Sequence, residues 1–172
     1  MKKATTKKEP AKTAPASHPL EGKPAPDFEL PDASGRPVKL RDLTASGNLV
    51  VYFYPKDMTP GCTREACDFR DNLSRLQAAG AQVVGISADP PQSHEKFAAK
   101  YGLNFPLLSD PDKRVLKAYG VWKKKSLYGR EFMGIERTTF VIDRQGKVRK
   151  VFPKVKVQGH AGAVLDVLKQ LA

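Results

Sequence analysis

Apolar positions along this chain switch between a period of two and a period near three and a half, and the switches mark out its elements. "NLVVYFYP", Asn48 to Pro55, is a near-continuous run of β-branched and aromatic residues, the composition of a central strand buried on both faces. After it Ala66, Phe69, Leu73 and Leu76 recur at three- and four-residue steps, which predicts an amphipathic helix stopped at Gly80. "AQVVGISAD" reads as a second buried strand, and Asp89-Pro90 opens a helix over "PPQSHEKFAAKYG" that closes at Gly102. "FPLLSD" follows as a short strand and "PDKRVLKAYG" as a short helix ending at Gly120. Two hairpins frame these units. "DFELPDASGRPVKLRDL" alternates around Ser34-Gly35, and "TTFVIDRQGKVRKVF" turns at Gln145-Gly146. Val164, Leu168 and Leu171 share one face of a terminal helix.

Between Gly120 and Thr138 the pattern assigns no element. Alternating strand–helix units, then an antiparallel hairpin and a last helix, predict an α/β fold: a mixed central sheet with helices on both faces and a hairpin at the start. The length, 172 residues, suits one domain. Residues 1–19 are Lys, Ala, Thr and Pro without apolar period and are expected to be a disordered basic tail ahead of a domain over 20–172. No apolar run reaches the roughly 18 residues of a membrane span. The N-terminus lacks the apolar region of a secretory signal and has no arginine before Arg36, so the expected compartment is cytoplasmic.

Charge changes this picture little. The formal net charge is +12, with lysines in the tail, at Lys123–Lys125 and through "RQGKVRKVFPKVK". No aromatic interleaving or reading motif accompanies it, so a solvated basic face is expected, with neither nucleic acid nor membrane as partner.

The chemistry lies in "YFYPKDMTPGCTREACDFRD", which holds both cysteines, Cys62 and Cys67. Pro60 at a first helical position after Thr59 starts a helix, and Cys62 falls in its first turn. There unpaired N–H groups and the helix dipole stabilise an anion, favouring the nucleophilic thiolate. The plainer alternative is an inert buried thiol. His18, His94 and His160 have no ligand spacing to the cysteines, and His160 reads as a helix cap or surface residue.

The run Pro55-Lys56-Asp57-Met58-Thr59-Pro60-Gly61-Cys62 resembles the peroxiredoxin pattern Pro-x-x-x-Thr/Ser-x-x-Cys at every fixed position. With Tyr-Pro-Lys-Asp before it and a second cysteine five residues beyond, it is similar to the peroxiredoxin Q, or bacterioferritin comigratory protein, branch. The resemblance runs from about Pro24 to the C-terminus and implies a thioredoxin-like fold. It makes Cys62 the peroxidatic cysteine, oxidised by a hydroperoxide to a sulfenic acid, and Cys67 the resolving cysteine. It gives Thr59 the task of orienting the peroxide and Pro55 that of shielding the thiolate. In "GIERTTFVID" it makes Arg137 the residue that stabilises the thiolate and the leaving oxygen, with Glu65 positioning the arginine. Each has a plainer reading: a helix N-cap for Thr59, a strand end for Pro55, surface charge for Arg137, a favourable dipole contact for Glu65. The resemblance implies hydrogen peroxide and organic hydroperoxides as substrates, no cofactor, thioredoxin as reductant (or glutaredoxin or glutathione), and a monomer.

Five residues apart on an intact helix, two Cα atoms stand roughly 8.7 Å from each other. A disulfide requires about 4.4–6.8 Å. Cys62 and Cys67 can therefore join only if the first turns unwind. The rival is a general thiol–disulfide oxidoreductase on the same fold, against which the absence of Cys-x-x-Cys speaks.

Overall fold

The computed structural model describes residues 18–171. In chain order its elements are β1 (Glu29–Pro31), β2 (Pro37–Lys39), α1 (Leu40–Ala45), β3 (Asn48–Phe53), α2 (Pro60–Ala78), β4 (Ala81–Ser87), α3 (Pro91–Tyr101), β5 (Leu107–Ser109), α4 (Arg114–Ala118), β6 (Trp122–Leu127), β7 (Arg130–Ile135), β8 (Thr138–Ile142), β9 (Val148–Phe152) and α5 (His160–Leu171). Five strands form the central sheet in the order β5-β4-β3-β8-β9. β3 pairs parallel with β4, and β4 with β5, while β8 runs antiparallel between β3 and β9. The sheet is mixed, as the pattern of the sequence requires.

β3 is buried on both sides because its alternate residues serve two cores. Leu49, Val51 and Phe53 pack on one face with Leu40, Leu43, Leu116 and Tyr119, from α1, α4 and the turn after it. Val50 and Tyr52, with Tyr54 just beyond the strand, face Phe69, Leu73, Phe97 and Val164 from α2, α3 and α5. Each large apolar side chain so buried stabilises the fold by about 2 kcal/mol. α2 keeps the predicted face: Ala66, Phe69, Leu73 and Leu76 are all buried.

Three elements escape the sequence reading, α1 and the pair β6 and β7. α1 continues straight from β2, burying Leu40 and Leu43. β6 and β7 form a hairpin whose two-residue loop is Tyr128-Gly129, closed by the pair Leu127–Arg130. Both loop residues have positive φ, 50° and 76°, as the tightest hairpin turns demand. The three lysines Lys123–Lys125 lie in β6, where Lys123 pairs with Glu136 and Lys124 with Glu131 at 2.9 and 2.7 Å. The second pair, exposed on both sides, contributes little to stability.

The disorder expected for the tail lies, for residues 1–17, outside the described residues. His18 is described: its ring meets Phe140 edge-on at 5.3 Å, and its carbonyl accepts from the Glu21 N–H.

Candidate active site

Beyond β3 the chain crosses the carboxyl edge of the sheet through residues 54–59 and enters α2. Thr59 is extended (φ −75°, ψ 151°), Pro60 opens the helix, and the Thr63 N–H closes its first turn on the Thr59 carbonyl at 2.9 Å. Cys62 therefore sits in the first turn, 1% exposed, facing Tyr52 and Tyr54 in the core. Cys67 is half-buried farther along the same continuous helix, and both thiols are free.

Arg137 immediately precedes β8, and the antiparallel register sets Thr138 opposite Phe53. The Val155 N–H fixes the Arg137 carbonyl at 2.9 Å. The guanidinium thereby reaches the start of α2. Its Nη2 donates to Cys62 Sγ at 3.3 Å and its Nη1 to Glu65 Oε1 at 2.8 Å. Sequence reasoning gave Gly61 no partner of its own, and the reason for it is here. A Cβ at that position would stand 3.1 Å from Arg137 Nη2. The guanidinium approaches over a residue with no side chain.

Glu65 is buried with Arg137 as its one partner among the described residues, and its Oε2 has none. Burial pushes its carboxyl up to about 7, while the arginine pulls the other way. Burial lowers the proton affinity of Arg137, but Glu65 first and Cys62 second outweigh it and hold the guanidinium above its ordinary range. An arginine keeps its charge at any working pH, so Glu65 is the member that takes up a proton.

Thr59 occupies the N-cap position by its backbone, but its hydroxyl does not bond a helix N–H. It donates to the Lys56 carbonyl at 2.7 Å instead. The plain capping role is thus not the one its side chain performs. With its proton so committed, the oxygen is left with lone pairs to accept from an incoming O–H. Pro55 is half-buried at the head of the same loop. The structure brings Cys62, Glu65 and Arg137 into direct contact, with Pro55 and Thr59 on the loop entering the helix. Cys67 it leaves apart.

The surface position expected for His160 is corrected. Its ring lies edge-on to Phe69 and Phe152, and Nε2 stands 2.7 Å from Thr139 Oγ1. It is buried because α5 starts directly over the sheet. That burial, aided by Arg137, lowers its pKa to about 4, so it is neutral near pH 7. A cleft of about 810 Å³ lies elsewhere, between the β1–β2 hairpin and α4, and holds neither cysteine.

The AhpC/TSA family pattern matches residues 22–151. The chain belongs to the AhpC/TSA family. Within it, similarity is high to the putative peroxiredoxin Bcp of Coxiella burnetii, 50% identical over 147 residues covering 86% of this chain and 97% of that one. It is 46% identical to the peroxiredoxin Bcp of Bacillus subtilis over 88% of this chain and 96% of that one. A solved structure of the Xanthomonas campestris bacterioferritin comigratory protein, from work on its alkyl peroxide reduction activity, superposes with a TM-score of 0.79. It is 45% identical and covers 84% of this chain and 91% of that one. Both the peroxiredoxin Q branch and the thioredoxin-like fold expected from Pro55–Cys62 are thereby borne out.

Proposed function

We propose that this AhpC/TSA chain is a thiol peroxidase in which Cys62 attacks hydrogen peroxide and organic hydroperoxides. The observation that carries the residue assignment is the 3.3 Å contact of Arg137 Nη2 with Cys62 Sγ in the first turn of α2. A fixed cation beside the sulfur faces the oxygen on which charge develops as the O–O bond breaks. The Thr59 oxygen accepts a hydrogen bond from the peroxide O–H and aligns the O–O bond; Pro55 closes the loop side against water; Glu65 holds Arg137 in place.

Cys62 sulfur bonds the distal oxygen, the O–O bond breaks, and the other oxygen leaves as water or alcohol after gaining a proton. The sulfenic acid is then attacked by the Cys67 thiolate, its hydroxyl leaves as water after gaining a proton, and a Cys62–Cys67 disulfide forms. A thioredoxin dithiol returns both sulfurs to thiols, with glutaredoxin or glutathione as alternative donors. Because resolution occurs within one chain, a monomer suffices, and the reducing donor fits a cytoplasmic setting. No described helix is long and apolar enough to cross a membrane.

Peroxide-dependent NADPH consumption with thioredoxin and its reductase tests this in wild type, Cys62→Ser and Cys67→Ser. Wild type should turn over, Cys62→Ser should not, and Cys67→Ser should complete only its first oxidation readily. Turnover by Cys62→Ser would remove the nucleophile assignment. Protein-disulfide reduction as fast as peroxide turnover would favour the general oxidoreductase.

A further inference from the structure

Residues 54–59 form a surface crossing, yet a carboxylate in their middle is buried. Asp57 is 5% exposed, and each of its oxygens has a partner. Tyr54 Oη donates to Oδ1 at 2.6 Å, and Ser93 Oγ donates to Oδ2 at 2.8 Å. His94 Nδ1 lies 2.7 Å from Oδ2, while its Nε2 faces the Leu108 carbonyl at 3.0 Å. Each ring nitrogen of His94 thus faces an acceptor oxygen, and the ring is held from both sides. The Asp57 N–H donates to Asp89 Oδ2 at 2.9 Å, and that oxygen also accepts from Ser87 Oγ at 2.7 Å. Side chain and backbone of one residue are thus tied to α3, to the turn after β4 and to Tyr54 just beyond β3. Burial works against the charged form, but His94, Tyr54 and Ser93 prevail and hold the carboxyl below its ordinary value.

Loops are ordinarily the mobile parts of a fold, and no packing demand places a carboxylate in this one. The next residue, Met58, has a positive φ of 68°, a conformation that a non-glycine residue adopts only when its surroundings impose it. Met58 is itself 42% exposed, so its side chain is not what imposes it. Asp57 stands between Pro55 and Thr59, and the Thr59 hydroxyl is bonded back to Lys56 on its other side. Whatever shifts Asp57 shifts the hydroxyl.

We propose that Asp57, gripped by His94, Ser93 and Tyr54, is a positioning residue for the peroxide reaction: it pins the Pro55–Thr59 loop so that the Thr59 oxygen meets the peroxide in line with Cys62. Asp57 touches no reacting atom; it acts through Thr59. The inference rests on the peroxidase reading given above.

The test compares two reagents for one sulfur. Hydrogen peroxide needs an aligned O–O bond, whereas iodoacetamide alkylates Cys62 without the Thr59 oxygen. Both second-order rate constants are measured by stopped flow and quench on reduced protein in a Cys67→Ser background, well below melting. Asp57→Asn should lower the peroxide constant about 100-fold, the scale of a small misplacement, while alkylation stays near the parent rate. Ser93→Ala and Tyr54→Phe leave the carboxylate in place and remove one bond each; about tenfold losses are expected, again for peroxide alone. They decide the matter should Asp57→Asn not fold. A peroxide-to-iodoacetamide ratio equal to the parent's in the folded variants would overturn the proposal and leave Asp57 a stability residue. A parent protein that reacts no faster with peroxide than with iodoacetamide would instead overturn the peroxidase reading, and this inference with it.

Discussion

Gly61 and Arg137 are fitted to each other: a Cβ on residue 61 would stand 3.1 Å from Nη2, the same nitrogen that reaches Cys62 Sγ. Inside a helix, glycine is destabilising relative to alanine by about 0.5–1 kcal/mol. Gly61→Ala should therefore raise the melting temperature or leave it unchanged, while crowding the guanidinium away from the sulfur. A drop of about tenfold in the rate of Cys62 oxidation is expected, read by stopped-flow fluorescence. An unchanged rate would mean that the guanidinium contact is not needed.

Removing the cation itself has a larger effect. Arg137→Met takes away the donor facing the developing charge, and the peroxide rate constant should fall about 10²–10³-fold. It also leaves the Glu65 carboxyl buried without a partner. That group escapes most of the penalty by taking up a proton, so chemical denaturation should show a loss of only about 1–3 kcal/mol. Full unfolding of the variant would show that the pair holds the fold together.

Glu65 makes stability depend on pH in an unusual direction for a carboxylate. Its folded value of about 7 lies above the ordinary 4.5, so the proton is held more tightly in the folded chain. The favourable contribution is complete below about 4.5 and is lost as pH rises through 7, amounting to about 3 kcal/mol. His160, held neutral with a value of about 4, acts oppositely, removing stability as pH falls from 6.5 through 4. The difference between wild type and Glu65→Gln isolates the carboxylate: the variant should gain on wild type between pH 5 and pH 8. Its peroxide rate should fall, because Arg137 loses its charged anchor. A pH-independent difference in melting temperature would refute the assignment.

Disulfide formation between Cys62 and Cys67 should melt the start of α2, since an intact helix separates the two Cα atoms by roughly 8.7 Å. The melting has a structural stop. Phe69 stacks on Tyr52 at 4.8 Å and meets His160 edge-on at 5.9 Å. Hydrogen exchange should rise across residues 61–68 on oxidation and stay low across Leu49–Tyr54. A fully protected helix in monomer that has lost both thiols would exclude this route, and a disulfide-linked dimer would exclude Cys67 as the intramolecular resolver.

How much of this could be read beforehand depended on distance along the chain. Leu49 to Tyr54 announce a two-faced strand because each neighbour supplies the opposite core, and Ala66, Phe69 and Leu73 announce their helix in the same local way. The β6–β7 hairpin was obscured because Lys123–Lys125 interrupt any alternation and most of both strands is exposed. Its one local signal was Tyr128-Gly129, a weak turn pair beside the usual Asn-Gly. In the site, Pro55 to Cys62 are contiguous and legible together. Residues 61 and 137 are not, and nothing near Gly61 says which side chain needs its empty space. His160 looked like a cap because its neighbours Phe69 and Thr139 are remote in sequence. Asp57 and His94 hid for the same reason: each looks like an ordinary polar residue until the fold joins them.

The same remoteness has a consequence for the order in which the protein is made. Arg137 lies 75 residues after Cys62, and at 5–20 residues per second a ribosome takes about 4–15 s to cover that length. β8 must also emerge before it can dock beside β3 and bring the guanidinium to the sulfur. A nascent chain thus carries its thiol for seconds without its cation. Translation itself keeps Cys62 and its guanidinium partner apart until most of the molecule exists.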